Sequence, residues 1–164
     1  MATLLILVGL PGSGKSTLAA QWVAADPAHR ARVSRDDLRM MLHGCLAWEQ
    51  RWQEDQVTTA QHAAISALLA AGISVVADAT NLRRRHRQAL AEIARQAGAR
   101  VAIQVVNTPT EECIARDATR PPERRVGADV IRRLARAAEW PTGLETHRPR
   151  SGSSINPGPG PASV

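Results

Sequence analysis

Apolar runs alternate along the chain with segments of helical periodicity. The runs predict strands buried on both faces of a sheet, at residues 4–8, 73–77 and 101–106, with a shorter strand around 32–34. The periodic segments predict helices at 15–25, 35–42, 47–71, 82–96, 110–120 and 129–140. Because strands and helices alternate, the pattern predicts an α/β fold, a parallel β-sheet flanked by helices.

The first predicted strand leads directly into a glycine-rich loop. Residues 9–16 fit the pattern G-x-x-x-x-G-K-[ST] and lie between a predicted strand and a predicted helix, as this phosphate-binding motif requires. Gly12 and Gly14 allow the backbone N–H groups to turn inward around a polyphosphate. Lys15 can reach the β- and γ-phosphates, and the Ser16 hydroxyl can bind Mg²⁺. The residues expected to contact the nucleotide are Gly12, Ser13, Gly14, Lys15, Ser16 and Thr17.

Lys15 is the only lysine in the chain, and every other basic residue is an arginine. A compact ammonium group among phosphates is a role for which arginine is a poor substitute. A glycine-rich turn without a ligand is the alternative interpretation of the loop. The lysine and the strand–helix context favour binding of a nucleoside triphosphate such as ATP.

Composition and charge narrow the class of protein. The net charge of +6 and the pI near 11.1 favour a polyanionic partner such as nucleic acid, although a bias in nucleotide composition also produces arginine-rich chains. Cys45 and Cys113 lie far apart, with no disulfide or zinc-site spacing. With no membrane-spanning run and no leader, a cytoplasmic location is expected. One domain is predicted at 1–148 and a disordered Gly/Pro/Ser-rich tail at 149–164.

Two further segments follow predicted strands, where ligands gather in open parallel sheets. In residues 34–39, Asp36 can accept the proton of an acceptor hydroxyl. Arg39, three residues on, shares a helical face with Asp36 and can hold a phosphate of the acceptor. Helix-dipole stabilisation at a first turn is the alternative for the acidic residues, but it does not account for Arg39.

Asp78 ends the next apolar strand, the usual setting for the second acidic residue of a phosphate-loop enzyme. It is predicted to hold Mg²⁺, through water, together with Ser16. An aspartate at an ordinary strand-to-helix turn is the alternative. The basic residues at 83–87 oppose the dipole of the helix that they begin, so they are either contacts for nucleic-acid phosphates or a solvated face.

A second set of cations predicts a lid over the triphosphate. Arg116, Arg120 and Arg124 are spaced by four, and Arg125 follows a pair of prolines. Since cations continue past the predicted helix end, a lid that stabilises the transferred group is favoured over simple helix C-terminal stabilisation. Trp48 and Trp52, one helical turn apart, are expected to pack in the core rather than to stack on an acceptor base. No histidine is assigned to catalysis.

Together, these segments resemble the polynucleotide 5′-kinase family of phosphate-loop phosphotransferases from phage and bacterial nucleic-acid repair. The resemblance spans residues 3–140 and is carried by the phosphate loop at 9–17, by 34–39, by 78–82 and by the arginines at 116–125. It implies a P-loop kinase fold with an arginine-rich lid. It also implies that Lys15 and Ser16 act on phosphates and Mg²⁺, that Asp36 is the general base and that Arg39 binds the acceptor strand. Arg120 matches the lid arginine on the transferring phosphate, beside Arg116 and either Arg124 or Arg125.

The sequence therefore predicts transfer of the γ-phosphate of ATP or another NTP, with Mg²⁺, to the 5′-OH end of DNA or RNA. Any ligase or phosphatase partner is expected to be a separate protein. Two alternatives remain open: a kinase of the same fold that acts on a nucleoside, sugar acid or antibiotic, and a nucleotide-dependent switch or toxin-like module. The basic charge and Arg39 favour a polynucleotide acceptor.

Overall fold

A four-stranded, fully parallel sheet forms the centre of the molecule, in a computed structural model that describes residues 1–46 and 50–142. The strands are β1 (Thr3–Val8), β2 (Arg30–Ser34), β3 (Ser74–Asp78) and β4 (Arg100–Val105). Their order across the sheet is β2-β3-β1-β4. The predicted α/β fold with a parallel sheet is confirmed.

Among the described residues, six α-helices connect and cover the strands. They are α1 (Lys15–Ala24), α2 (Arg35–His43), α3 (Arg51–Ala70), α4 (Arg84–Gln96), α5 (Thr110–Ala118) and α6 (Ala128–Arg136), with a 3₁₀ turn at Pro122–Arg124. Residues 47–49, where α3 was predicted to begin, lie outside the described part of the chain. The predicted boundary at 148 and the predicted tail at 149–164 lie outside it as well.

The core lies on both faces of β1. Leu4, Ile6 and Val8 are buried on one face, and Leu7 is buried on the other. The strand pairs with β4 over residues 3–8 and with β3 over residues 4–6, so β1 is an inner strand of the sheet. This continuous apolar run therefore anchors the loop that follows Val8.

Three sequence predictions differ from the structure. β4 was predicted as a buried strand, but it is a sheet edge whose ends are exposed, with Val105 38% exposed. The apolar run did not indicate that β4, within the described part of the chain, pairs with β1 alone. Helix α5 begins at Thr110, as predicted, but it ends at Ala118, short of the predicted residue 120. Helix α6 ends at Arg136, short of the predicted residue 140.

No helix among the described residues is long and apolar enough to span a membrane. Within the same residues, no disulfide joins Cys45 and Cys113.

Candidate active site

The loop between β1 and α1 is shaped to surround an anion. Gly12 and Gly14 have φ values of 82° and 99°, which favour glycine, and they turn the chain sharply. Gly14 is the N-cap of α1, no side chain caps this helix, and its first turn contains no acidic residue. The N–H groups and the positive dipole end of α1 therefore remain available for a phosphate, so the loop fits a triphosphate. Ser16 and Thr17 are exposed at this helix start.

The loop is packed closely against its neighbours. A Cβ on Gly12 would lie 2.4 Å from the carbonyl oxygen of Cys113 on α5. A Cβ on Gly9 would lie 2.7 Å from the Ser13 Oγ and 2.8 Å from the Val106 carbonyl oxygen. The backbone N–H of Gly9 also donates to the Thr80 carbonyl, at 3.1 Å. The glycines thus allow the loop to lie against the segments that follow β3 and β4.

Lys15 is buried and folds back over the loop. Its Nζ donates to the Leu10 carbonyl at 2.6 Å and to the Ser13 Oγ at 3.2 Å. Burial lowers the pKa of Lys15 to about 8. The carboxylates of Asp78 and Asp36 oppose this shift, and the charge of Arg120 adds to it. Lys15 therefore carries an ammonium group whose charge is destabilised by burial and is open to stabilisation by an anion.

Asp36 and Arg39 are brought together at the start of α2, directly after β2. The Ser34 side chain caps this helix by accepting from the Asp37 N–H at 3.2 Å. One turn on, the Arg39 Nη1 donates to the Asp36 Oδ1 at 2.5 Å. The Asp36 side chain is 69% exposed, and that of Arg39 is 19% exposed. Asp36 is therefore open to an incoming hydroxyl, while Arg39 is held beneath it.

Glu54, on α3, is a site residue that the sequence reasoning missed. Its carboxylate accepts from the Arg39 Nε at 2.5 Å and from the Arg35 Nη2 at 2.6 Å. Burial alone would raise its pKa, but hydrogen bonds from Arg39 and Arg35 hold the pKa of Glu54 below its usual value. Thr58 and Gln61 extend the same helix face and also accept from Arg35. This polar stripe at i, i+4 and i+7 was a signal in the sequence that could have identified the support.

Asp78 lies at the carboxyl end of β3, beside β1, and its side chain is 4% exposed. Its Oδ2 accepts from Arg32 on β2, at 2.8 Å from Nε and 2.7 Å from Nη2. Arg32 also pairs with Asp37 at 2.6 Å. Mg²⁺ is commonly held by one or two protein oxygens together with substrate phosphates, so the Asp78 carboxylate and the Ser16 hydroxyl have suitable donor chemistry for the predicted metal. No local sequence pattern indicated that Arg32 would bind this carboxylate.

The predicted lid arginines do not behave alike. The Arg116 Nη1 lies 3.7 Å from the position of a Cβ on Gly14, so Arg116 reaches the phosphate loop while it pairs with Glu112. Arg120 pairs with Asp117 at 3.2 Å and acts on the pKa of Lys15. Arg124 is exposed on the 3₁₀ turn, and no ion pair to its guanidinium is found among the described residues. The structure thus brings Arg116 to the loop, whereas Arg120 is held by Asp117 and Arg124 lies exposed on the 3₁₀ turn.

Asp117, also missed by the sequence reasoning, holds the connection between α5 and α6. It is 2% exposed and accepts from the N–H groups of Val126, at 3.0 Å, and Gly127, at 2.9 Å. Since it also pairs with Arg120, it fixes the lid arginine to the helix that follows the lid. A single aspartate in a helical pattern carries no sequence signal for this role.

Two further expectations are corrected. Arg87 belongs neither to a nucleic-acid surface nor to a solvated face, because it is 2% exposed and its Nη1 donates to the Asn81 carbonyl at 2.9 Å. Trp52, expected in the core, is 53% exposed in the first turn of α3. Trp48 lies outside the described residues.

The chain matches a known protein family and is similar to several solved structures. Residues 4–141 match a family model described as an AAA domain. The chain is similar to a chain of a Pnkp1/Rnl/Hen1 RNA repair complex, with 31% identity and a TM-score of 0.73 over 82% of this chain and 43% of that one. A second structure of the Pnkp1/Rnl/Hen1 complex gives 36% identity and a TM-score of 0.62 over 70% and 38%. The chain thus spans about two fifths of the length of these two matches.

A more distant likeness extends over most of both chains. Kti12 of Chaetomium thermophilum, in complex with ADP-AlF₃, has 22% identity and a TM-score of 0.69 over 86% of this chain and 82% of its own. A gluconokinase from Sinorhizobium meliloti has 22% identity and a TM-score of 0.60 over 86% and 77%. At this identity the likeness shows the fold alone. The predicted P-loop kinase fold is confirmed.

Proposed function

The chain belongs to the AAA domain family that it matches over residues 4–141, and we propose that it is a polynucleotide 5′-kinase. It transfers the γ-phosphoryl group of ATP or another NTP to the 5′-OH end of a DNA or RNA strand. One observation carries the proposal: an exposed carboxylate, Asp36, pairs with a supported guanidinium, Arg39, after the carboxyl end of β2, at the same edge of the parallel sheet as the phosphate loop that follows β1.

In the proposed reaction, Asp36 accepts the proton of the 5′-hydroxyl as its oxygen bonds to the γ-phosphorus. The bond from that phosphorus to the β–γ bridging oxygen breaks, and the nucleoside diphosphate leaves with the electron pair. Lys15, in the loop, and Arg120, which follows α5, stabilise the charge on the transferring group. Bound Mg²⁺, held through Ser16 and Asp78, would neutralise charge on the β- and γ-phosphates.

Arg39 favours a strand end over a small hydroxyl compound as the acceptor. Its side chain is 19% exposed and its guanidinium is bonded to both Asp36 and Glu54, so its position is fixed and it can orient a phosphate next to the reacting nucleoside. The net charge of +6 supports a polyanionic acceptor. The likeness at 31% and 36% identity to chains of an RNA repair complex supports the same assignment.

The product, a 5′-phosphorylated end, is the form of strand end that a ligase can join. We therefore propose that this chain acts together with end-joining or phosphatase proteins, because the two similar chains belong to Pnkp1/Rnl/Hen1 complexes.

The deciding experiment offers γ-labelled ATP and Mg²⁺ to the protein with three acceptors: a 5′-OH oligonucleotide, a nucleoside 3′-monophosphate and a panel of nucleosides, sugar acids and aminoglycosides. Label transfer to the oligonucleotide and the 3′-monophosphate, but not to a plain nucleoside, is expected. Transfer to a small molecule alone would establish the small-molecule kinase instead. Slow hydrolysis without transfer to any acceptor would indicate a nucleotide-dependent switch.

A further inference from the structure

An exposed apolar cluster lies where α2 ends and α3 begins. Met40, Met41 and Leu42 are 44%, 70% and 42% exposed, and Trp52 is 53% exposed. The chain has no Phe or Tyr and only four Trp. Leaving one of these large side chains half in water forgoes much of the burial that it could provide, so the exposure calls for an explanation by binding.

The cluster continues the face of α2 that carries the proposed catalytic pair. Residues at i, i+3, i+4 and i+7 share one helix face, and Asp36, Arg39, Met40 and His43 have this spacing. The contacts agree, because Arg39 bonds to Asp36 while the rings of His43 and Trp52 lie 5.8 Å apart and almost perpendicular. Glu54, two residues after Trp52, bonds to Arg39 and so ties the two helices together at this point.

The spacing along α2 suits an extended ligand. Seven residues from Asp36 to His43 correspond to about 10 Å of helix, at about 1.5 Å per residue. Stacked nucleotides of one strand are spaced by about 3.4 Å, so this distance spans about three nucleotides. A strand whose 5′-hydroxyl lies at Asp36 and whose first phosphates pass Arg39 would thus present a base near Trp52.

We propose that Trp52, together with His43 and Met40, forms a stacking platform for a base of the acceptor strand, two to four nucleotides from its 5′ end. A nucleobase suits the cluster because it is flat and largely apolar, and stacking on an aromatic ring does not depend on sequence. Arg51 is exposed at the start of α3, next to Trp52 in the chain, and its guanidinium can contact the phosphates of a strand. The inference rests on the proposed function and deepens it, because it makes a strand, not a mononucleotide, the preferred acceptor.

The first test uses the wild-type protein and a set of 5′-OH decanucleotides, each with one abasic site. An abasic site at the second, third or fourth nucleotide is expected to raise KM about fivefold or more, since base–aromatic stacking contributes about that much or more to binding. An abasic site at the ninth nucleotide is the matched control and should leave KM unchanged. If the abasic position has no effect anywhere in the strand, the platform does not exist.

The second test compares Trp52→Ala with Trp140→Ala, which removes another partly exposed tryptophan, 38% exposed and outside the platform. Trp52→Ala is expected to raise KM for the intact decanucleotide about fivefold or more. It should leave KM and kcat for a nucleoside 3′-monophosphate unchanged and should lose the sensitivity to the abasic site. Trp52→Phe should restore most of the affinity, and Trp140→Ala should behave as wild type.

The outcomes separate the inference from the function on which it rests. If no 5′-OH acceptor is phosphorylated by the wild type, the kinase assignment itself fails. If strands are phosphorylated but Trp52→Ala retains the wild-type KM, or if Trp52→Ala instead dissociates an oligomer in light scattering, the platform is overturned. If Trp52→Ala fails to fold, the abasic series on the wild-type protein still tests the proposal.

Discussion

At the scale of single residues, the proposed chemistry depends on a carboxylate that is exposed and yet oriented. The Asp36 side chain is 69% exposed, and its orientation comes from Arg39, which is in turn held by Glu54. Such a chain of contacts lets the reacting group remain accessible while its neighbour is fixed. The contributions of Asp36 and of Glu54 can be tested by separate substitutions.

Asp36→Asn removes the proposed base and keeps the shape of the side chain. We expect phosphoryl transfer to fall by far more than tenfold while the Kd for ATP stays within about twofold, because an amide cannot take the hydroxyl proton. Steady-state transfer to a 5′-OH oligonucleotide and calorimetric ATP binding measure the two quantities. A variant retaining over about a tenth of the rate, a barrier change below about 1.4 kcal/mol, would rule out Asp36 as the base.

Glu54→Gln weakens the support of Arg39 without creating a cavity. We expect kcat/KM for an oligonucleotide acceptor to fall about tenfold, since Arg39 loses a charged partner, with ATP binding unchanged. Glu92→Gln, which changes an exposed ion pair with Arg95 on α4, is the matched control and should have no effect. Equal kinetics for the two variants would contradict a positioning role for Glu54.

At the scale of elements, the site is assembled by three strand-to-helix connections that touch one another. The Gly9 N–H bonds to the segment after β3, and Gly12 lies against α5. Asp117 then ties the end of α5 to the start of α6. The phosphate loop is therefore a packed junction rather than an isolated turn, and its glycines are required by their neighbours as well as by their backbone angles.

Gly12→Ala tests this packing. The new Cβ would both adopt a positive φ and lie 2.4 Å from the Cys113 carbonyl oxygen, so we expect the free energy of unfolding to fall by about 2–4 kcal/mol. Gly98→Ala also has a positive φ, 64°, but no atom within 4 Å of the new Cβ, and it should cost only about 1 kcal/mol. Urea unfolding measures both, and equal losses would show that the contact with α5 contributes nothing.

At the scale of the whole molecule, the buried ammonium group of Lys15 makes both folding stability and nucleotide binding depend on pH. Burial lowers the pKa of Lys15 to about 8, against 10.5 for an ordinary lysine. In the nucleotide-free protein the unfolded chain therefore holds more protons between these values, and stability rises with pH over that window. Bound phosphates favour the protonated form, so nucleotide affinity has the opposite dependence.

The affinity for ATP should accordingly be nearly constant from pH 7.5 to about 8 and then weaken, approaching tenfold per pH unit, because Lys15 must regain a proton to bind. Calorimetry in buffers of different ionisation enthalpy would detect that proton uptake. Lys15→Arg supplies a cation that does not deprotonate in this range and should flatten the dependence. An unchanged slope in that variant would assign the titration to another group.

The sequence by itself determined the elements and the site's location. Alternating apolar and periodic segments predicted the parallel sheet, and residues 9–16 predicted the phosphate loop, because both signals are local: burial sets the apolar pattern and backbone geometry sets the glycines. The pairing of Asp36 with Arg39 was also local, since residues three apart on a helix are neighbours.

Only the tertiary structure decided what each polar side chain meets across the sheet and between helices. Arg32 shares Asp78, Glu54 supports Arg39 from 15 positions away in the chain, and Arg87 is buried although its local pattern suggested a surface. The exposure of β4 and of Trp52 likewise depends on which elements lie beside them. Local sequence patterns indicate which face of an element is buried. Side-chain contacts between residues that are distant in the chain depend on strand order and helix packing.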